Sequence, residues 1–227
     1  MLQQVNPARP AYRPPAFAAF GASRESQADD RLETVGHLVS RTQDQEIFSE
    51  GELATKLYKV ISGSVRTFKI LHDGRRQIVG FHLKGDFFGL EAADRYSVSA
   101  EAVGAAELIA MKRSTLLERA SRNQNLFEKL LNITTRELSR AQAHALLLIK
   151  SAQERVQDFL LDLSERAESH EVVDLPMSRQ DIADYLGLTI ETVSRTLTLL
   201  EKNGLISFCS TRRIALNNRS ALKALQR

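Results

Sequence analysis

Ser178-Arg-Gln-Asp-Ile-Ala-Asp-Tyr-Leu-Gly-Leu-Thr-Ile-Glu-Thr-Val-Ser-Arg-Thr-Leu-Thr-Leu-Leu-Glu-Lys-Asn-Gly204 carries two short helical patterns around one glycine. Ser178 is an N-cap residue with Asp181 three positions on, and its hydroxyl satisfies a first-turn N–H group. Ile182, Ala183 and Leu186 make the apolar face of the first helix. Gly187 ends it, because a residue without a Cβ takes left-handed geometry at low cost. Thr189 is the next N-cap. Val193, Leu197 and Leu200 face inward, and Asn203-Gly204 closes the second helix. Two short helices about a tight glycine turn form a helix-turn-helix.

In that motif the second helix enters the major groove of duplex DNA. The spacing leaves Ile190, Glu191, Ser194, Arg195 and Thr198 on its outer face. An Arg can bond bidentately to guanine O6 and N7, and a Glu can accept from a cytosine amino group. Glu191, Ser194 and Arg195 are therefore the expected base-reading set. Four residues apart, Glu191 and Arg195 can also pair with each other. The same spacing describes an ordinary surface pair worth tenths of a kcal/mol, and the motif around it favours readout. Ser178, Arg179, Gln180, Thr189 and Thr192 are expected on the DNA backbone.

Leu205 to Leu216 reads as a β-hairpin with Ser210 to Arg213 at its tip, which makes a wing beside the helix-turn-helix. Arg212 and Arg213 would contact phosphates there, positioning the domain without specifying sequence; as solvated turn charges they would do neither. Cys209 lies in the wing. It is either a small apolar residue packed in the hairpin or a redox-sensitive thiol near DNA, since an oxidised thiolate gains bulk and charge.

Upstream the period changes. Arg31 to Arg41 fits a short amphipathic helix, with Leu32, Val35 and Leu38 three apart. Lys56 to Leu71 reads as two strands joined at Ser62-Gly63. His72-Asp-Gly-Arg75 and Lys84-Gly-Asp86 are turns, and Gln77–His82, Ser97–Val103 and Glu107–Lys112 are further strands. Short strands between Gly-rich turns suggest a small antiparallel barrel or jelly roll. Helix takes over after Ser114. Phe127, Leu131, Thr134, Leu138, Ala141, Ala145 and Leu148 alternate in spacings of four and three, a heptad seam of roughly three repeats. Either this stripe packs on its own domain or it is the parallel coiled-coil seam of two subunits. A further helix follows over Ala152–Glu168, then a polar linker.

The fold class is thus α+β: residues 1–30 a flexible tail, 31–115 a β-roll, 116–150 a dimerisation helix and 151–227 a winged helix-turn-helix. Among the 227 residues, 43% are hydrophobic and 26% charged, the balance of a globular protein. No window holds the roughly 20 apolar residues of a membrane helix. The Pro- and Arg-rich N-terminus has no apolar region of a signal peptide, so no membrane partner and a cytoplasmic location are expected. One Cys excludes an internal disulfide and an iron–sulfur cluster held by about four thiolates of one chain. The five His are scattered, so no metal and no cofactor are expected. There is no nucleophile elbow or P-loop, and no catalytic residue is assigned. The net charge of +3 says little. The last fifty residues, though, hold eight Lys/Arg against four Asp/Glu, and phosphate attraction is a local-field effect.

From Gly187 to Arg195, and again over Leu199-Leu-Glu-Lys-Asn-Gly-Leu-Ile206, the chain resembles the Crp/Fnr family of bacterial regulators, closest to its FixK branch. Leu57-Tyr-Lys-Val-Ile-Ser-Gly-Ser-Val-Arg66 and Lys84-Gly-Asp-Phe-Phe-Gly89 resemble the family's β-roll, which in cyclic-nucleotide-binding proteins is a jelly roll. The resemblance covers nearly everything after residue 30. It implies a homodimer joined through the long helix, binding double-stranded DNA at a palindrome, with RNA polymerase as partner and microaerobic or nitrogen-fixation genes as targets. Glu191, Ser194 and Arg195 match the set that reads a TTGAT-type half-site in Fnr-like members. Ile190 stands where the cyclic-AMP receptor branch has an Arg. Two departures matter. Fnr itself carries clustered N-terminal Cys, absent here. Cyclic-nucleotide members have a Gly-Glu turn and an Arg-Ser/Thr pair for the cyclic phosphate, whereas here Gly89-Leu-Glu91 is spaced apart and Tyr96 precedes Ser97. The resemblance implies a ligand-independent activator; the alternative is a β-roll whose small-molecule or cyclic-nucleotide ligand switches DNA binding.

Overall fold

The computed structural model describes residues 36–166 and 171–224; the expected tail over 1–30 lies outside them. Eight strands come first: β1 (Gly36–Arg41), β2 (Glu46–Phe48), β3 (Lys56–Ser62), β4 (Val65–Ile70), β5 (Arg76–His82), β6 (Phe87–Phe88), β7 (Ser99–Ala102) and β8 (Ala106–Lys112). They form two four-stranded sheets, in the orders β1-β8-β3-β6 and β2-β7-β4-β5. The paired strands are antiparallel.

Lys56–Leu71 does hold two strands, but they belong to different sheets. The chain crosses between them at Gly63, whose φ is 76° and where a Cβ would stand 2.2 Å from the Ala105 carbonyl oxygen. Between the sheets lie Tyr58, Val60, Val65, Phe88, Tyr96 and Leu108, among others. Phe48 stacks on Tyr96 with ring centroids 3.7 Å apart and on Tyr58 at 5.7 Å.

The helix expected over Arg31–Arg41 is corrected. Gly36–Arg41 is an edge strand in register with β8 from Gly36↔Met111 to Arg41↔Ala106; residues 31–35 are outside the described chain. Three-residue spacing fits a helix, yet Leu38 is exposed while Val39 packs on the inter-sheet core. Pairing with an open sheet edge outweighs a weak local preference.

Helix begins at α1 (Arg113–Ala120), breaks, and resumes as α2 (Gln124–Leu147) behind the cap Asn123, whose side chain accepts from the Leu126 N–H. Leu126, Leu130 and Ile133 of α2 pack with Leu57, Met111 and Leu116 on the outer face of the first sheet. α3 (Ala152–Arg166) follows, then β9 (Val172–Asp174), α4 (Arg179–Leu186), α5 (Ile190–Lys202), β10 (Ile206–Ser210), β11 (Arg213–Leu216) and α6 (Arg219–Ala224). β9 adds a third strand to the hairpin, in the order β10-β11-β9. Sequence reading missed β2, β9 and α6, each too short to show a period.

One apolar cluster joins the two halves. Phe68, Ile78, Phe81 and Val103 of the roll pack with Val156, Phe159, Leu160, Ile182 and Leu197. The helical half therefore sits against the roll. Among the described residues, no helix is long and apolar enough to cross a membrane.

Candidate nucleic-acid interface

Ser178 and Asp181 form a reciprocal capping box. Ser178 Oγ accepts from the Asp181 N–H at 3.0 Å, and the Ser178 N–H donates to Asp181 Oδ2 at 3.0 Å. At the other end of α4, Gly187 has φ 62° and ψ 40°, and its N–H bonds the Ala183 carbonyl. Arg155 of α3 donates to the Leu186 carbonyl at 2.9 Å. Both ends of α4 thus carry a side-chain partner for an open backbone group. Only Leu188 and Thr189 then separate Gly187 from α5. Thr189 caps α5, its hydroxyl accepting from the Thr192 N–H at 3.2 Å.

Along α5 the two faces separate cleanly. Val193, Thr196, Leu197 and Leu200 are buried, whereas Ile190, Glu191, Ser194, Arg195 and Thr198 are exposed. The expected base-reading set therefore shares one solvent-facing surface. Arg195 Nε donates to the Glu191 backbone carbonyl at 3.4 Å. The Glu191 backbone N–H and the Thr189 hydroxyl hold the Glu191 carboxyl below the usual Glu range, so it is an acceptor at neutral pH.

The expected backbone contacts divide. Gln180 is exposed but bonds Asp184 Oδ1 at 2.7 Å. Arg179 is half-buried, its guanidinium 5.5 Å from the centre of the Phe208 ring. Ser178 serves as cap and Thr192 is half-buried. Arg213 is exposed and pairs with Asp174 at 3.0 Å. Arg212 is exposed at the wing turn and lines a cleft facing Asp44 and Arg66 of the roll. Cys209 is exposed on β10 and not packed in the hairpin.

The heptad stripe of α2 points away from its own roll. Phe127, Leu131 and Leu138 are 56%, 53% and 56% exposed, Thr134, Ala141 and Ala145 are exposed too, and Leu148 is half-buried. Most of that stripe is thus left unpacked by its own chain, while Leu148 lies beside Gly187 and Ala141 lines a cavity of the roll. The apolar strip continues through Leu146 and Ile149, which are also exposed.

Beside α2 the roll has a cavity of about 480 Å³, lined by His82, Leu90, Ser97, Arg140, Phe159 and Tyr185 among others. Arg166 lines it too, and Arg140 and Arg166 are both paired with Asp86, at 2.8 and 2.6 Å. Tyr96 is buried in the aromatic stack, and its hydroxyl donates to the Lys56 carbonyl at 2.6 Å. The Ser97 N–H and hydroxyl both donate to the Glu91 carboxylate, at 3.0 and 2.9 Å. Ser97, which lines the cavity, thus has both its donors held by a carboxylate of the same chain.

Three residues that brace α4 escaped sequence reading: Arg66, Arg76 and Arg155. The first two lie more than a hundred positions from their partners, and nothing in local spacing marks such a contact.

Residues 38–123 match the family described as cyclic nucleotide-binding domain, and residues 154–225 the Crp-like helix-turn-helix domain. The nitrogen fixation regulation protein FixK of Azorhizobium caulinodans is 53% identical over 189 residues, covering 81% of this chain and 76% of that protein. FixK of Rhizobium meliloti is 43% identical over 182 residues, covering 80% and 83%. The structure of FixK2 from Bradyrhizobium japonicum superimposes with a TM-score of 0.81 at 45% identity, covering 84% of this chain and 97% of that one. A β-roll carrying a capped helix-turn-helix with a wing, matched at this identity over this length, makes the chain a member of the Crp/Fnr family of DNA-binding transcription regulators, of the FixK/Fnr type.

Proposed function

We propose that the protein is a homodimeric activator that binds a TTGAT-type palindrome and regulates nitrogen-fixation or microaerobic genes without a small-molecule ligand. The observation that carries this is the outer face of α5, where Glu191, Ser194 and Arg195 stand together on a helix whose other side is fully packed. Arg195 reads guanine and Glu191 accepts from cytosine on the opposite strand. Ile190 supplies no second Arg, which favours the Fnr-like half-site. Thr189, Arg212 and Arg213 position the domain on phosphates.

The dimer joins through the exposed stripe of α2. Burying Phe127, Leu131 and Leu138 against their counterparts removes a contiguous apolar strip from water. The small Ala141 and Ala145 let the two helices approach closely. Two copies then present two α5 helices to successive major grooves. The roll acts as scaffold and as a surface for RNA polymerase. The names of the FixK relatives supply the gene class.

Selection of bound sequences from random DNA tests the specificity. Recovery of a palindrome with TTGA-type arms supports it, and an unrelated consensus overturns it. The cavity beside α2 favours a second reading, a small-molecule switch of the roll. Calorimetry with cyclic AMP and cyclic GMP decides between the two, submicromolar binding favouring the switch.

A further inference from the structure

We infer that Arg66 and Arg76 of the roll are positioning residues for DNA recognition, clamping the first helix of the helix-turn-helix so that the roll sets the orientation of α5. Arg76 Nη2 reaches Asp181 Oδ1 at 2.6 Å and Asp184 Oδ2 at 2.8 Å. Arg66 Nη1 reaches Asp181 Oδ1 at 3.3 Å while its Nη2 holds Asp44 and Glu101 at 2.8 and 2.6 Å. Gln77 Nε2 donates to the Asp184 carbonyl at 2.7 Å. The Asp181 side chain is 5% exposed and that of Arg66 8%. On the opposite flank, the His144 ring of α2 lies parallel to Tyr185, centroids 4.1 Å apart, with Nε2 2.8 Å from the Tyr185 carbonyl oxygen.

The chemistry separates adhesion from orientation. Phe68, Ile78, Phe81 and Val103 hold the helical half on the roll, but apolar contact is non-directional and tolerates sliding. Buried ion pairs add little net stability. A planar guanidinium bridging two carboxylates is directional and fixes a register. Asp181 is also the capping-box residue of α4, so the clamp acts on the helix end itself. α4 continues into α5 through the short turn at Gly187. Rotation about the α2–α3 junction at Leu148–Ser151 would otherwise carry α5 away from its groove.

This inference rests on the DNA-binding reading. Its test keeps the two apart by measuring orientation without DNA. The full chain is labelled for fluorescence energy transfer at Cys209, its only cysteine, and at a cysteine introduced by Glu118→Cys on exposed α1. It is diluted into excess unlabelled chain so that each complex carries one labelled protomer. The unaltered clamp gives one narrow transfer population. Arg76→Ala broadens or shifts it, Gln77→Ala does so to a smaller extent, and Arg76→Lys restores part of it. Arg75→Ala is the control, because Arg75 pairs with Asp73 in the hairpin turn. On palindromes, Arg76→Ala weakens binding about tenfold, within the range of coupling between sites, and loses discrimination between the preferred spacing and one base pair more. Circular dichroism verifies that each variant is folded, and Gln77→Ala leaves no buried charge if Arg76→Ala unfolds. Narrow, unshifted populations in folded Arg76→Ala and Gln77→Ala overturn the clamp whatever the DNA result. Broadened populations with unchanged spacing discrimination overturn the role in recognition.

Discussion

The Glu91 carboxylate accepts two hydrogen bonds from Ser97, from its N–H at 3.0 Å and from its hydroxyl at 2.9 Å. A carboxylate from the same chain thus sits on the donors that an incoming phosphate would need. Added cyclic AMP or cyclic GMP is expected to leave DNA affinity unchanged. Titration of the DNA complex by anisotropy checks this, and a saturable nucleotide-dependent shift would contradict it.

Arg195 and Arg213 are expected to fail differently. Arg195→Ala abolishes discrimination for the palindrome, at a cost of about 1–3 kcal/mol per half-site. Arg213→Ala weakens binding to all sequences alike and lowers the salt slope by about one. Binding isotherms on specific and random duplexes at several salt concentrations separate the two. Equal losses in both variants would remove the division of roles.

Leu131→Glu or Leu138→Glu is expected to halve the mass seen by light scattering. Both side chains are more than half exposed, while the own-domain face of α2 keeps Leu126, Leu130 and Ile133 packed. The variants therefore stay folded by circular dichroism and bind palindromes weakly. An unchanged dimer mass would place the interface elsewhere.

Ser178→Ala removes the hydroxyl of the capping box and is expected to cost about 1 kcal/mol of stability. Denaturant melts of the folded chain measure it. A loss near zero would mean that the Arg66 and Arg76 contacts to Asp181 hold the helix end without the cap.

His82 is buried between the roll and α3, with Nε2 3.1 Å from Thr67 Oγ1, and burial depresses its pKa to about 4. Asp86 pulls it upward while Arg166 and Arg140 reinforce the depression. The unfolded chain takes up a proton below the ordinary value near 6.5, and the native chain does so only near 4. Stability is therefore lost as pH falls through that window, on the order of 3 kcal/mol in total. His144, also depressed by burial, acts in the same direction. His82→Gln should flatten the decline between pH 6.5 and 4.5 in denaturant melts; an unchanged slope would assign it to other groups.

The helix-turn-helix was legible because its signals are local. Ser178, Asp181, Gly187 and Thr189 mark helix ends through hydrogen bonds within a few residues, and α4 and α5 form where they point. The same holds for the strand turns at Gly63 and Asp73-Gly74. The stretch Gly36–Arg41 was misread because Leu32, Val35 and Leu38 offer helical spacing, and only the distant β8 supplies the edge it joins.

The amino-acid order alone determined the class of fold, the position of the recognition helix and which of its residues face outward, since these follow from caps and periodicity over one or two turns. Tertiary structure decided which face of α2 is spare, that the Glu91 carboxylate holds both donors of Ser97, and that the roll grips α4 through Arg66 and Arg76. Those relations join residues up to 115 positions apart. Side-chain reach across packed elements, which no sequence period encodes, sets them.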